Sequence, residues 1–133
     1  MRATARRRNG TLTHDVEVRG HTIKSDEPEG RGGHDEGPSP QELLAVSLAS
    51  CTAITIEMYA ERKGWDLGSM EVEAGYEPDS KGGCSRFDVV VKLPPELSDE
   101  QVERLRLISS RCPVHRALVG EVEISDRVER IGL

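Results

Sequence analysis

Hydrophobic positions are unevenly distributed along this chain, and they are densest between residues 43 and 56. No charged residue occurs in that stretch, although 32% of the whole chain is charged. Apolar or small residues cover every side of a helix drawn through it, which predicts a helix buried all round. The stretch is shorter than the ~20 apolar residues of a membrane span, so we expect no membrane segment and no membrane partner. One thiol, Cys51, stands near its middle.

Both ends of this helix are marked in the sequence. Ser39 is a favourable N-cap residue, Pro40 suits the first helical position, and Glu42 stands where it completes a capping box. Charged residues return toward the other end, where Gly64 is a typical residue to end a helix. The sequence therefore predicts one long helix over residues 40–63.

Alternating hydrophobic and polar residues on either side of this helix predict strands. Asn9-Gly10 is a preferred pair for a type I′ turn, and it predicts a hairpin over residues 3–19. Arg19-Gly20 marks a second turn. The other predicted strands cover residues 21–25, 70–76 and 87–93, and a last strand begins with Val122 and Ile124.

Two shorter helices are predicted after the second hairpin. Ser98 caps the first of them, with Gln101 at the third position of a capping box. Cys112 caps the second, with Pro113 at its first position and Gly120 at its end. Strands, a long helix, a hairpin, two helices and a last strand together indicate an α+β fold.

Composition narrows the classes of function. A length of 133 residues predicts one domain, 1–133. The net charge of −6 argues against a nucleic-acid partner. The N-terminus is rich in arginine and lacks the apolar segment of a signal peptide. Three cysteines are too few for a disulfide framework and fit a reducing cytoplasm. Only 3% of residues are aromatic, so we expect a mostly aliphatic core, which a dimer would help to cover.

Cys51 and Cys112 are the residues best suited to carry chemistry. Burial alone would raise the pKa of Cys51, so a reactive Cys51 would need a cation beside it. Cys112 is better placed for activation, because a helix N-terminus favours a thiolate. The two cysteines are 61 residues apart in the sequence, and they can form a redox pair only if the fold brings them together.

Other sites remain open from the residues alone. Cys112-x-x-His115 with Cys51, and with or without Cys84, would be a metal site, although its spacing is a weak signal. A cysteine–histidine nucleophile for acyl transfer is a further alternative, but no spacing selects one of the four histidines. The glycine-rich segment 26–37 is predicted to be a flexible loop, and it lacks the Gly-Lys-Ser/Thr of a phosphate-binding loop.

Three motifs together resemble those of the OsmC/organic-hydroperoxide-resistance family. They are Gly37-Pro38-Ser39-Pro40-x-Glu42-Leu43-Leu44, Ala49-Ser50-Cys51-Thr52-Ala53-Ile54 and Cys112-Pro113-Val114-His115. The resemblance implies an OsmC-like fold, in which antiparallel sheets wrap around long central helices in an intertwined homodimer. It implies neither a cofactor nor a metal.

The same resemblance implies a thiol-dependent peroxidase acting on organic hydroperoxides, with hydrogen peroxide as a second substrate. Cys51 would attack the O–O bond and become a sulfenic acid, and Cys112 would condense with it to a disulfide. An external dithiol of the lipoyl or thioredoxin type would then reduce the disulfide. A binding or stress-response protein on the same fold, without peroxidase turnover, is the alternative.

The family's site also contains a glutamate and an arginine. Glu42 matches the glutamate of OsmC-like members, whereas the organic-hydroperoxide branch has it one position earlier, where this chain has Gln41. Arg8 is the best match for the arginine, which would lower the pKa of Cys51 and bind the peroxide oxygen while Glu42 orients it. The rival arginines are Arg6, Arg7 and Arg19.

Helix geometry constrains how Glu42 could serve the thiol. Nine residues separate it from Cys51, which places the two half a turn out of phase with roughly 13–14 Å of rise between them. They cannot meet within one straight helix. If both serve one site, the carboxylate must come from a second subunit, and we therefore expect a dimer.

Overall fold

The computed structural model describes residues 1–81 and 85–132, so the prediction that Cys84 faces away from the core lies outside the described residues. The long helix is confirmed: α1 spans Pro40–Lys63. The Ser39 hydroxyl accepts from the Glu42 N–H, and the Glu42 carboxylate accepts from the Ser39 N–H, which completes the capping box. Gly64 ends α1 at a φ of 72°, a left-handed conformation that glycine adopts without strain.

The N-terminal residues form a three-stranded antiparallel sheet in the order β1-β2-β3. Its strands are β1 (Ala3–Arg7), β2 (His14–Val18) and β3 (His21–Ser25). Arg19 and Gly20 have φ values of 48° and 80°, so the predicted turn between β2 and β3 is a tight two-residue connection. Strand β3 matches its predicted range.

The connection between β1 and β2 is longer than the Asn9-Gly10 pair predicted. The last cross-strand pair is Arg7 with His14, so six residues join the strands. The reason lies at Thr13, which is only 1% exposed and donates its hydroxyl to Asp26 Oδ2 at 2.8 Å. Turning Thr13 inward to reach this carboxylate removes it from the strand alternation.

Asp26 also organises the segment that precedes α1. It is 2% exposed, and its carboxylate accepts from the backbone N–H groups of Glu27, His34 and Glu36. The segment predicted to be a flexible loop is therefore held by hydrogen bonds to Asp26, and it contains one 3-10 turn, Glu29–Arg31. Burial alone would raise the pKa of Asp26, but the Thr13 hydroxyl and these N–H donors lower it from 3.8 to about 2.

The low pKa of Asp26 predicts how stability responds to acid. A depressed pKa in the folded state contributes stability that is present above pH ~4 and is lost as the pH falls toward 2. We expect Asp26→Asn to lower the urea midpoint at pH 7 and to flatten its dependence on pH between 4 and 2. Urea unfolding followed by circular dichroism measures both. Asp126→Asn in the exposed C-terminal segment is the control, and an equal pH response in both variants would contradict the prediction.

The second hairpin and the two short helices agree with the sequence pattern. Strands β4 (Glu71–Glu77) and β5 (Arg86–Lys92) pair antiparallel in a separate sheet, and α1 packs against β4. Helix α2 (Asp99–Ser109) has the predicted capping box at Ser98. Helix α3 (Pro113–Val119) is capped by Cys112, as predicted.

The core lies along one side of α1 rather than all round it. The central cluster is mainly aliphatic, and its members are Ile56, Tyr59, Ala60, Leu67, Leu105 and Ile108. On the other sides, four large side chains of α1 are 40–59% exposed in the single chain: Leu44, Val46, Ile54 and Met58. The prediction of a helix buried all round is therefore wrong for one chain alone, because the sheets and short helices cover only part of its surface.

The length of α1 also corrects the membrane argument. The helix has 24 residues with a mean hydropathy of 1.6 in its most apolar part, so by length and composition it could cross a membrane. This carries little weight, since the core helix of a water-soluble protein passes the same test.

The predicted last strand is absent from the described C-terminal residues. Residues 121–132 form neither helix nor strand, and the side chains of Val122 and Ile124 are 69% and 79% exposed. A strand requires a partner edge for its backbone hydrogen bonds. The alternation at Val122 and Ile124 therefore belongs to a segment that pairs with no strand edge among residues 1–81 and 85–132.

Candidate functional site

The fold brings two of the predicted site residues together. Cys51 lies near the middle of α1, Cys112 lies at the start of α3, and the two helices pack against each other. The two side chains lie close enough for each to shift the pKa of the other, and both are free thiols in this structure. Two elements far apart in the sequence thus meet at a sulfur pair.

The local sequence explains the position of Cys112. Pro113 starts α3, where its missing N–H costs no hydrogen bond. Cys112 precedes it in an extended conformation and turns its side chain back over the first turn, where Sγ accepts from the His115 N–H at 3.4 Å. The residue is 0% exposed, whereas Cys51 is partly exposed. The pair therefore has one open and one enclosed sulfur.

The environment of the pair shifts the two pKa values in opposite directions. Burial raises the pKa of Cys51, and its contact with Cys112 raises the pKa further, against weaker opposition from the Val114 N–H and the Thr55 hydroxyl. Burial would also raise the pKa of Cys112. There, however, hydrogen bonds from Cys51, from backbone N–H groups and from the Thr52 hydroxyl outweigh it and lower the pKa.

The raised pKa of Cys51 differs from the lowered pKa that a reactive thiol at this position would need. The sequence argument needed a cation to lower the pKa of this thiol, and none of the groups that shift it in the described chain is a cation. The Nε of Arg8 lies 3.4 Å from Asp15 Oδ2 on β2, in a half-exposed ion pair. Arg6 is paired with Glu17 in the same hairpin. The single chain therefore does not bring Arg8 to Cys51.

Glu42 is also separated from the sulfur pair within one chain. Its Oε1 accepts from the Ser39 N–H at 2.9 Å, and hydrogen bonds from Ser39 lower the pKa of its carboxyl group. Its position on α1 is half a turn out of phase with Cys51, as the sequence spacing requires. Glu42 is thus an ionised carboxylate on the opposite face of the helix.

Glu42 borders a cavity that contains an arginine the sequence analysis did not consider. The cavity has a volume of about 610 Å³, and Arg31 lines it together with Glu42 and the small side chains Ala45 and Ala49. Arg31 ends the 3-10 turn, and within the described ranges it forms no ion pair, whereas Arg8 does. Its only signal in the sequence is that it is the one arginine or lysine in the segment 26–38.

A second cavity is lined by residues that follow the two cysteines in the sequence. Its volume is about 310 Å³, and Thr52 and His115 line it together with the apolar residues Leu48 and Phe87. His115 thus donates a backbone N–H to Cys112 and also lines this cavity. Among residues 1–81 and 85–132, no three histidine, cysteine or carboxylate side chains are grouped to hold a metal ion.

Most of the chain, including both cysteines of the pair, matches a known protein family. The model of the OsmC-like protein family matches residues 33–125, which is more than half of the chain. The chain belongs to the OsmC-like protein family. The matched range includes Glu42, Cys51 and Cys112, and it excludes both Arg8 and Arg31.

Solved OsmC-like structures share the fold. An OsmC-like protein from Mycoplasma pneumoniae is 20% identical, with a TM-score of 0.75 over 90% of this chain and 86% of its own. The organic hydroperoxide resistance protein OhrB of Bacillus subtilis is 22% identical, with a TM-score of 0.61 over 92% of each chain. The mixed α+β architecture with antiparallel sheets is therefore that of OsmC-like proteins, and the family assignment from the three motifs is confirmed.

Two proteins that resemble this chain in sequence are 29% and 27% identical to it. An uncharacterized protein of Haloferax volcanii is 29% identical over 91 residues, which cover 67% of this chain and 69% of that protein. The YmaD protein of Bacillus subtilis is 27% identical over 106 residues, which cover 73% of this chain and 71% of that protein.

Proposed function

We propose that this OsmC-like protein is a thiol-dependent peroxidase that reduces organic hydroperoxides. The observation that carries the proposal is the contact between Cys51 and Cys112, a partly exposed sulfur beside an enclosed one. Relatives of the same fold include proteins named for organic hydroperoxide resistance, which supports the choice of substrate class.

The chemistry balances with this pair and one external dithiol. The Cys51 thiolate attacks the peroxide O–O bond; the terminal oxygen stays on sulfur as a sulfenic acid, and the alkoxide takes a proton and leaves as the alcohol. Cys112 then attacks the sulfenic sulfur, which forms the disulfide and releases water. A dithiol such as dihydrolipoamide or reduced thioredoxin gives two electrons to the disulfide and is itself oxidised. We propose that the protein is cytoplasmic, because the cytoplasm contains reducing dithiols of this kind.

The active form is proposed to be an intertwined homodimer. Three observations support it: the exposed apolar surface of α1, the unpaired C-terminal segment, and the separation of Glu42 from Cys51 within one chain. A second copy of the chain would cover the apolar surface of α1 and pair with the C-terminal segment. It would also bring its Glu42 carboxylate to Cys51.

Sedimentation velocity tests the dimer. We expect one species of twice the chain mass at micromolar concentration. The reason is that the exposed apolar side chains of α1 are costly to leave in water. A stable monomer with full peroxidase activity would contradict the proposed arrangement.

The residues around Cys51 favour an organic over a hydrophilic peroxide. Leu44, Leu48 and Met58 share the helical stripe of Cys51, so apolar side chains flank the open sulfur. We expect faster consumption of cumene hydroperoxide than of hydrogen peroxide, with dihydrolipoamide or thioredoxin as reductant. A coupled assay that follows peroxide loss with each donor measures this preference, and equal rates with both peroxides would remove the argument from the apolar walls.

A binding or stress-response protein without turnover is the second candidate. The raised pKa of Cys51 in the described chain favours it, since a protonated thiol reacts slowly with peroxide. The pH dependence of Cys51 alkylation by iodoacetamide separates the two functions. A thiol that reacts only at high pH in the assembled protein would favour the binding function, and one that reacts at neutral pH would favour the peroxidase.

A further inference from the structure

The two sulfurs differ in a way that bears on how the disulfide is reduced. We propose that the external thiol attacks Cys51 Sγ, that Cys112 Sγ leaves, and that Thr52 is the positioning residue that receives this leaving sulfur. The inference rests on the proposed function, because it concerns the Cys51–Cys112 disulfide. It assigns the site of attack, which the peroxidase proposal itself leaves open.

Access selects the attacked sulfur. Thiol–disulfide exchange depends on which sulfur the incoming thiolate can reach. The Cys112 side chain is enclosed by its own chain and is 0% exposed, whereas Cys51 is partly exposed and is covered by no element of its own chain to the same extent. An incoming thiolate therefore reaches Cys51 without any rearrangement of α3, and it reaches Cys112 only if α3 moves.

Hydrogen bonding selects the leaving sulfur. Exchange is faster when the departing thiol has the lower pKa. The His115 N–H donates to Cys112 Sγ at 3.4 Å, and the hydroxyl of Thr52, a residue only 1% exposed that lines the same cavity as His115, also helps to lower the pKa of this thiol. A negative charge released on Cys112 thus forms inside a set of donors that the fold already holds in place, which is the condition under which a buried charge is stabilised.

The exchange balances without any group beyond the reductant. The incoming thiolate forms a new S–S bond with Cys51, the Cys51–Cys112 bond breaks, and its electron pair leaves on Cys112 as a thiolate. The second thiol of the reductant then attacks its own sulfur in the mixed disulfide and releases Cys51, which leaves the reductant oxidised and both cysteines reduced.

Trapping the mixed disulfide tests the site of attack. Cys84→Ser protein is oxidised with diamide, so that no peroxidase activity is needed, and is then treated briefly with 2-mercaptoethanol. Acid quenching, alkylation with N-ethylmaleimide and peptide mass spectrometry locate the adduct. We expect mercaptoethanol on Cys51 and maleimide on Cys112. An adduct on Cys112, or an even division between the two, would overturn the inference.

Two neighbouring threonines provide a matched test of the positioning role. Thr52 lowers the pKa of Cys112, whereas Thr55, three residues further along the same helix, lowers that of Cys51. We expect Thr52→Val to slow the first exchange with 2-mercaptoethanol by about three- to tenfold, the worth of one hydrogen bond, while Thr55→Val changes it less than about twofold. Thr52→Ser, which keeps the hydroxyl, should restore the rate. Equal rates for Thr52→Val and Thr55→Val would overturn the role of Thr52.

The outcomes separate this inference from the peroxidase proposal. A Cys51 adduct in a protein that consumes no peroxide would leave the inference intact and remove the proposed function. Peroxide turnover with the adduct on Cys112 would do the reverse. Failure of diamide to join the two sulfurs would overturn both.

Discussion

Replacement of Cys51 by serine is expected to reduce the consumption of cumene hydroperoxide to the uncatalysed background. A serine hydroxyl is not ionised at neutral pH and does not attack the O–O bond, so no first step remains. Cys112→Ser should behave differently, because Cys51 can still be oxidised once. In the absence of reductant, we expect it to consume one equivalent of peroxide per chain and then stop, with a sulfenic acid that dimedone traps, whereas the parent protein stops as a disulfide that dimedone does not label.

The controls for this pair of variants use the third cysteine and the reductant. Cys84→Ser should keep full turnover, since the proposed mechanism needs only Cys51 and Cys112. Peroxide loss is followed with excess dihydrolipoamide and, separately, without any reductant, where the parent protein should also stop after one equivalent. Turnover by Cys51→Ser equal to that of the parent would remove the peroxidase proposal altogether.

Local chemistry made much of this fold predictable from its sequence. Ser39 and Glu42 specify the start of α1 through two side-chain hydrogen bonds, and Gly64 specifies its end. The tight connection at Arg19-Gly20 follows in the same way from Gly20, which adopts its φ of 80° without strain. Each of these features depends on a few consecutive residues, which a single sequence displays directly.

Features that depend on distant partners were predicted less well. The β1–β2 connection departs from its pattern because Thr13 bonds to Asp26, a residue that no local rule connects with it. The helix α1 was predicted to be buried all round and Val122 and Ile124 to begin a strand, but within the described residues α1 is exposed on several sides and Val122 and Ile124 are exposed and outside any strand. A hydrophobic pattern indicates burial in the assembly in which the protein acts and does not indicate which chain provides the cover.

The candidate site also has features that the local sequence predicts and features that depend on distant residues. The cap at Cys112 was predictable, and its contact with Cys51 was expected only as a condition for redox chemistry. The directions of the two pKa shifts agree with the sequence reasoning, in which burial raises the pKa of Cys51 and a helix N-terminus lowers that of Cys112, but the contribution of Thr52 was not predictable, because α1 meets Cys112 only after folding. Arg31 was missed because the sequence argument looked for the arginine in the first hairpin, whereas the fold places Arg31 in the cavity of Glu42.

Replacement of Arg31 by methionine is expected to slow the reaction of Cys51 with cumene hydroperoxide by at least about tenfold at pH 7, the effect of one pKa unit on the thiolate fraction. We propose that Arg31 and Glu42 of one subunit face Cys51 of a second, where the guanidinium would reverse the raised pKa that this thiol has in a single chain. Methionine keeps the apolar stem of the side chain and lacks the guanidinium, so the cavity keeps most of its lining while the charge is lost.

Arg8→Met is the matched variant, because it also removes one guanidinium but leaves the cavity of Glu42 unchanged. The rate of Cys51 alkylation against pH, in the Cys112→Ser background, measures the pKa of this thiol independently of turnover. We expect the pKa to rise in Arg31→Met and to stay at the parent value in Arg8→Met, with both proteins dimeric by sedimentation. A rise confined to Arg8→Met would restore the first-hairpin arginine to the site, and no rise in either variant would mean that neither guanidinium activates the thiol.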